Sequence, residues 1–189
     1  SDIYREDARD RDPLGATTIV GAETGAQAIY AQRGAALIYA MAWTRDVSNE
    51  PANVIYPESF VRRAREAFAG VRGVTIQVLD ENAMRRQGMG ALLGVGQGSE
   101  RPPRLLVIRY RGAGAPEGGS IVLAGKGITF DSGGISIKPS AGMGDMKMDM
   151  SGAASVTGAV LALARSRAPV DVVAIAALAE NMPDGGAIR

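Results

Sequence analysis

The residues able to do chemistry crowd into one stretch of the chain. Ala124-Gly125-Lys126-Gly127-Ile128-Thr129-Phe130-Asp131-Ser132-Gly133-Gly134 continues through Lys138 to Met143-Gly144-Asp145-Met146-Lys147-Met148-Asp149-Met150. Asp131 and Asp149 offer hard oxygen ligands to divalent cations. A deprotonated Lys126 can coordinate a metal, because nearby dications lower the pKa of an amine. Lys138 can instead stay charged and stabilise a developing oxyanion. Each of these residues alone reads as a charge paired in a solvated loop; the set together points to a site. Met143, Met146, Met148 and Met150 read either as core filler or as the lining of an adaptable apolar pocket.

Composition narrows the chemistry. The 189 residues include three lysines (Lys126, Lys138 and Lys147) against 18 arginines, with no His and no Cys. A guanidinium stays protonated, whereas Lys can lose its proton and offer a lone pair. Lysines gathered in one window of an Arg-rich chain are either accidents of a coding bias or positions Arg cannot fill. Without His or Cys there is no Ser-His-Asp triad, thiolate nucleophile or zinc finger. Any metal held by this chain must use carboxylates, carbonyls, water or an unusual nitrogen. The net charge of +1 leaves no electrostatic footprint for nucleic acid or an anionic membrane. No apolar run approaches the ~18–20 residues of a membrane span. The absence of cysteine fits a reducing, cytoplasmic setting. Gly125-Lys126-Gly127 lacks the upstream Gly and the Ser/Thr of a P-loop, and Gly94 to Gly98 runs into Pro102-Pro103 rather than a helix. Arg62, Arg63 and Arg65 read as a solvated helix face.

The elements that must position these groups follow from pattern. Residues 1–22 form a polar N-terminal segment or linker. Glu23 to Arg45 suits a long helix with one buried stripe at Ile29, Ala36, Leu37, Ala40, Met41 and Trp43. It ends before the turn formers Ser48 to Asn53. Pro57 starts a second helix whose apolar face is Phe60, Ala64, Ala67 and Phe68. Val74 to Leu79 alternates as a strand, and Asp80 caps a short helix through Arg86. Gly88 to Gly98 is Gly-rich. Leu105 to Ile108, Ile121 to Ala124 and Val170 to Leu178 read as strands buried on both faces. Ser151 to Ala164 reads as a helix of small residues. The alternation predicts an α/β fold with a mixed, largely parallel central sheet flanked by helices. The chemical stretch then follows a strand and precedes a helix, where ligands collect in open α/β sheets.

The run from Gly125 to Asp149 resembles the leucyl (cytosol) aminopeptidase family of two-metal exopeptidases. Asn49-Glu50-Pro51 and Glu180-Asn181-Met182-Pro183 fit the same family. The resemblance implies that 23–189 is the first part of the catalytic domain. It makes Lys126 the amine ligand of the tighter metal site, Asp131 the carboxylate bridging both metals and Asp149 a further ligand of the tight site. Lys138 resembles the catalytic lysine that polarises the substrate carbonyl, and Met146 a residue lining the pocket for the substrate's first side chain. The implied cofactors are two divalent metal ions, zinc or, at the looser site, manganese or magnesium. They hold a bridging hydroxide at neutral pH; the family also implies a bicarbonate held by the complete protein. The implied function is release of apolar, leucine-like N-terminal residues from peptides by a cytoplasmic homohexamer, with no membrane or nucleic-acid partner. The family's Asn-Thr-Asp-Ala-Glu-Gly-Arg string and its N-terminal domain do not occur in this chain, so the 189 residues are expected to be a fragment that is inactive alone. Ser151 stands where Gly is usual, and Asp145-Met146-Lys147 where Asp-Leu-Met-Arg is commoner. Two alternatives stay open: a non-catalytic structural homologue, and a DNA-binding member of the family.

Overall fold

A computed structural model of the chain describes residues 18, 20, 21 and 23–188. The polar segment read over 1–22 lies almost wholly outside them. Four strands, β1 (Val74–Leu79), β2 (Arg104–Arg111), β3 (Ile121–Asp131) and β4 (Asp171–Asn181), form one sheet in the order β1-β2-β4-β3. The sheet is mixed: β1 and β4 run antiparallel to β2, while β3 and β4 are parallel. The parallel pair carries Lys126 and Asp131.

One sheet face makes the core. Leu106, Ile108, Val172, Ala174, Ala176 and Leu178 are buried beneath Phe60, Val61 and Ala64 of α3 (Pro57–Ala67) and Val160 and Leu161 of α6 (Ser151–Arg165). Alternate residues of β2 and β4 therefore point into apolar packing, as a half-buried strand requires. Burying a side chain such as Phe60 contributes about 1.5–3 kcal/mol. Pro57 occupies the first turn of α3, and the Ser59 hydroxyl accepts the Tyr56 N–H (2.8 Å) and donates to the Val54 carbonyl (2.7 Å). Asp80 caps α4 (Glu81–Arg86) as its position predicts, its Oδ1 accepting the Ala83 N–H at 2.8 Å.

Several expectations are corrected. The long first helix is α1 (Ala26–Ile29), a π-helical stretch (Tyr30–Gly34) and α2 (Ala35–Asn49). Its expected stripe splits, since Ala36 and Ala40 are buried with Val47, whereas Ile29, Leu37 and Met41 are exposed. The reason is close approach to α6. A Cβ on Gly158 would collide with the Thr44 hydroxyl, so only small side chains fit this interface. The Gly-rich run contains a helix, α5 (Gly90–Gly96), despite the poor helix propensity of Gly. Ile121 and Val122, expected to be buried, are about 60% exposed (60% and 59%) because β3 is an edge strand. β3 also extends past Ala124 to Asp131, and β4 past Leu178 to Asn181. Lys126 and Asp131 are consequently on the strand, not in a loop after it, whereas Lys138, Met146 and Asp149 follow it.

Candidate active site

The extension of β3 contains a bulge. Ile128 pairs with Ala179, but Phe130 pairs with Glu180 and Asp131 with Asn181, leaving Thr129 as the extra residue. Lys126 pairs with Ala177. Ala177 and Asn181 are four apart and share a sheet face. Lys126 and Asp131 are five apart in sequence, and a regular strand would point them to opposite faces. The bulge removes that mismatch and puts both on one face. Buried Thr129 secures it, its hydroxyl donating to the Ala179 carbonyl at 3.3 Å.

Two glycines bring the next ligand candidate in. A Cβ on Gly125 would lie 2.5 Å from the Gly152 carbonyl oxygen, and one on Gly152 would lie 2.9 Å from the Lys126 nitrogen. The N-terminal end of α6 therefore sits directly against β3. Asp149, two residues before α6, then lies with Oδ2 2.8 Å from Lys126 Nζ. That oxygen is buried and accepts no hydrogen bond. The amine and carboxylate are in ionic contact, but not with the alignment of a hydrogen bond.

A second pair lies at the end of β3. Lys138 Nζ donates to Asp131 Oδ2 at 2.7 Å and also lies 3.1 Å from the Met146 sulfur. Met146 belongs to the 3₁₀ turn Met143–Met148 that leads into Asp149, so one short turn touches both pairs. Asp131 Oδ1 accepts from Asn181 Nδ2 at 2.7 Å and the Gly133 N–H at 3.0 Å. Burial pushes the Asp131 carboxyl up, but the hydrogen bonds from Lys138, Asn181 and Gly133 outweigh it and hold the group below its ordinary value. Gly133 and Gly134 take φ of 92° and 69°, the turn that folds the loop back so that the Lys138 N–H bonds the Ser132 carbonyl.

The structure thus brings the five predicted residues together as Lys126 with Asp149, and Lys138 with Asp131 and Met146. The third lysine is different: Lys147 Nζ donates to the Asn49 carbonyl at 2.9 Å and ties the 3₁₀ turn to the end of α2. The donor set of two carboxylates and an amine suits zinc, manganese or magnesium. The buried, unbonded Asp149 oxygen is the observation that fits a cation there. Among the described residues no three His, Cys, Asp or Glu side chains form a group that could hold a metal ion.

Sequence reading gave no role to Glu180 and Asn181. Glu180 Oε2 accepts from Ser99 Oγ at 2.5 Å and Oε1 from Arg101 Nη1 at 3.1 Å. Arg101 also reaches the Ala52 carbonyl at 2.6 Å and lies 4.5 Å over the Tyr56 ring. The motif Glu180-Asn181 was visible, but the bulge that sets Asn181 opposite Asp131 leaves no signal in residue types.

Comparison with known proteins bears on the family of the chain. The model of the cytosol aminopeptidase family catalytic domain matches residues 42–189. A probable cytosol aminopeptidase of Allorhizobium ampelinum is 46% identical over 187 residues, covering 98% of this chain and 37% of that protein. One of Xanthobacter autotrophicus is 48% identical over 185 residues, covering 98% of this chain and 36% of the relative. Among solved structures, the bottromycin maturation enzyme BotP in complex with Mn superposes with a TM-score of 0.83 at 38% identity, covering 100% of this chain and 38% of that one. The chain spans little more than a third of the length of these relatives. No described helix is long and apolar enough to cross a membrane.

Proposed function

The chain belongs to the cytosol aminopeptidase family, and we propose that the protein containing it is a metal-dependent aminopeptidase that releases apolar, leucine-like N-terminal residues from peptides. Residues 23–189 would be the first part of its catalytic domain. The observation that carries the reading is the contact of Lys126 Nζ with the buried Asp149 Oδ2, close in distance yet not hydrogen-bonded. Lys126, Asp131 and Asp149 would hold two divalent ions, zinc or, at one site, manganese or magnesium. Such ions, when bound, polarise a scissile carbonyl and lower the pKa of a water to near neutrality.

The chain's own residues do the rest. Lys126 must be a neutral amine to offer its lone pair, which a guanidinium cannot do. Asp131 Oδ2 faces the Lys138 ammonium at 2.7 Å, and that contact anchors Lys138 at the end of β3. Lys138 holds its proton at Nζ and presents positive charge to the oxygen that becomes anionic as the carbonyl is attacked. Met146, 3.1 Å from Lys138 Nζ, puts a polarizable apolar wall beside that oxygen, suited to a leucine-like side chain.

Relatives named cytosol aminopeptidases support a cytoplasmic enzyme. A homohexamer and a bound bicarbonate complete the reading for the whole protein, and the net charge of +1 argues against a nucleic-acid partner. The 189-residue chain alone should turn over no leucine amide and bind zinc weakly. The test is hydrolysis of leucine amide by the full-length protein before and after chelation. Activity that is lost to chelator and restored by zinc or manganese supports the reading; chelator-insensitive activity, or none at all, overturns it.

A further inference from the structure

We propose that Asn181 is a positioning residue for the Asp131 carboxylate, fixing which of its oxygens faces cationic groups. The inference rests on the metalloenzyme reading above. Asp131 Oδ1 is occupied by two uncharged donors, Asn181 Nδ2 at 2.7 Å and the Gly133 N–H at 3.0 Å. Oδ2 alone faces a cationic group, Lys138 Nζ at 2.7 Å. An ionised carboxylate only accepts, so the amide of Asn181 must turn its NH2 towards it. Its Oδ1 faces the other way, where a Cβ on Gly134 would stand 2.8 Å from it. The hydrogen bond to Asp131 therefore sets the orientation of the amide.

Asn181 is itself held from both sides. Its backbone carbonyl accepts the Ser132 N–H at 3.0 Å and the Ser132 hydroxyl at 2.7 Å. Its neighbour Glu180 is clamped on the opposite sheet face by Ser99 and by Arg101. Arg101 carries that clamp to the Ala52 carbonyl in the loop after α2. The end of β4 is thus fixed at residue 180 and aims the next side chain at Asp131. Partners of this kind orient a ligand and tune its affinity without touching the metal.

The test uses the full-length protein as Asn181→Ala and Asn181→Leu, the second keeping the volume of the side chain without its donor. The inference expects both variants to bind zinc about 10–100-fold more weakly than wild type. It also expects both to shift the visible spectrum of the cobalt-substituted protein, with the circular dichroism of the fold retained. If Asn181→Leu binds zinc within about two-fold of wild type with an unchanged cobalt spectrum, the side chain only fills space and the inference is overturned, since second-shell losses run larger than that. Wild type that binds no metal overturns the metalloenzyme reading and this inference with it. Wild type that binds metal while Asn181→Leu binds it equally well overturns this inference alone.

Discussion

At the first residue of β4, Asp171 Oδ2 accepts from Arg109 at 2.8 Å and Arg111 at 2.6 Å, and Oδ1 accepts from Ser120 at 2.8 Å. Towards the other end of the parallel pair, Asp131 and Asp149 are met by Lys138 and Lys126 instead. Glu50 with Arg63, Glu180 with Arg101 and Glu81 with Arg85 follow the first pattern. Asp171 accepts from two guanidinium groups and a hydroxyl, so both its oxygens are bonded. Asp149 keeps a buried oxygen with no hydrogen bond. A permanently charged, planar partner suits a carboxylate that must only be neutralised, while at Lys126 an amine that can lose its proton suits a carboxylate proposed to share a cation. In a chain with 18 Arg and 3 Lys, the proposed function gives a chemical reason for lysine rather than arginine at this end of the sheet.

The comparison breaks most easily at Lys126. Lys126→Arg in the full-length protein should lose the tight metal and nearly all activity, read by elemental analysis and leucine amide turnover. Retained metal stoichiometry would show that the amine is no ligand. Lys138→Ala should lower kcat on the order of 10²–10³ with metal content kept; a change confined to KM would remove its role in carbonyl polarisation.

At the opposite end, Asp171→Asn should leave metal content and kcat unchanged but lower Tm by several degrees. Hydrogen bonds from Arg109 and Ser120, joined by Arg111 against the effect of burial, hold the Asp171 carboxyl down at about 2. Its folded value lies below the ordinary carboxyl value of about 3.9. Its stabilisation is therefore fully present above about pH 4 and is lost as pH falls towards about 2. Asp171→Asn should flatten the acid limb of the stability profile in that window, and an unchanged limb would contradict the assignment. The smallest effect is expected at Asp80→Ala, which removes the cap of α4 outside both regions. It should cost about 1 kcal/mol in urea denaturation, with activity unaltered.

Legibility in the sequence followed the physics of each segment. β1, α3, α4 and α6 were readable because alternation, helical periodicity and caps agree there. The extension of β3 was not, because Gly125, Lys126, Gly127 and Asp131 carry the composition of a loop while making strand pairs with β4. The buried face of α2 was misread because contact with α6 selects Ala36 and Ala40 over larger neighbours, and that contact depends on a glycine more than a hundred residues away. At the site, the resemblance named Lys126, Asp131, Lys138, Met146 and Asp149, and the structure groups them. Asn181 could not be assigned without the register, since an unpaired residue at Thr129 decides what stands opposite Asp131.

The most direct test of the central claim is anomalous scattering from crystals of the full-length protein grown with zinc. A peak is expected about 2.0–2.2 Å from an Asp149 oxygen, with Lys126 Nζ and Asp131 completing the ligands from this stretch. A fully ordered site in which Lys126 still pairs directly with Asp149, and the zinc lies elsewhere, would contradict it.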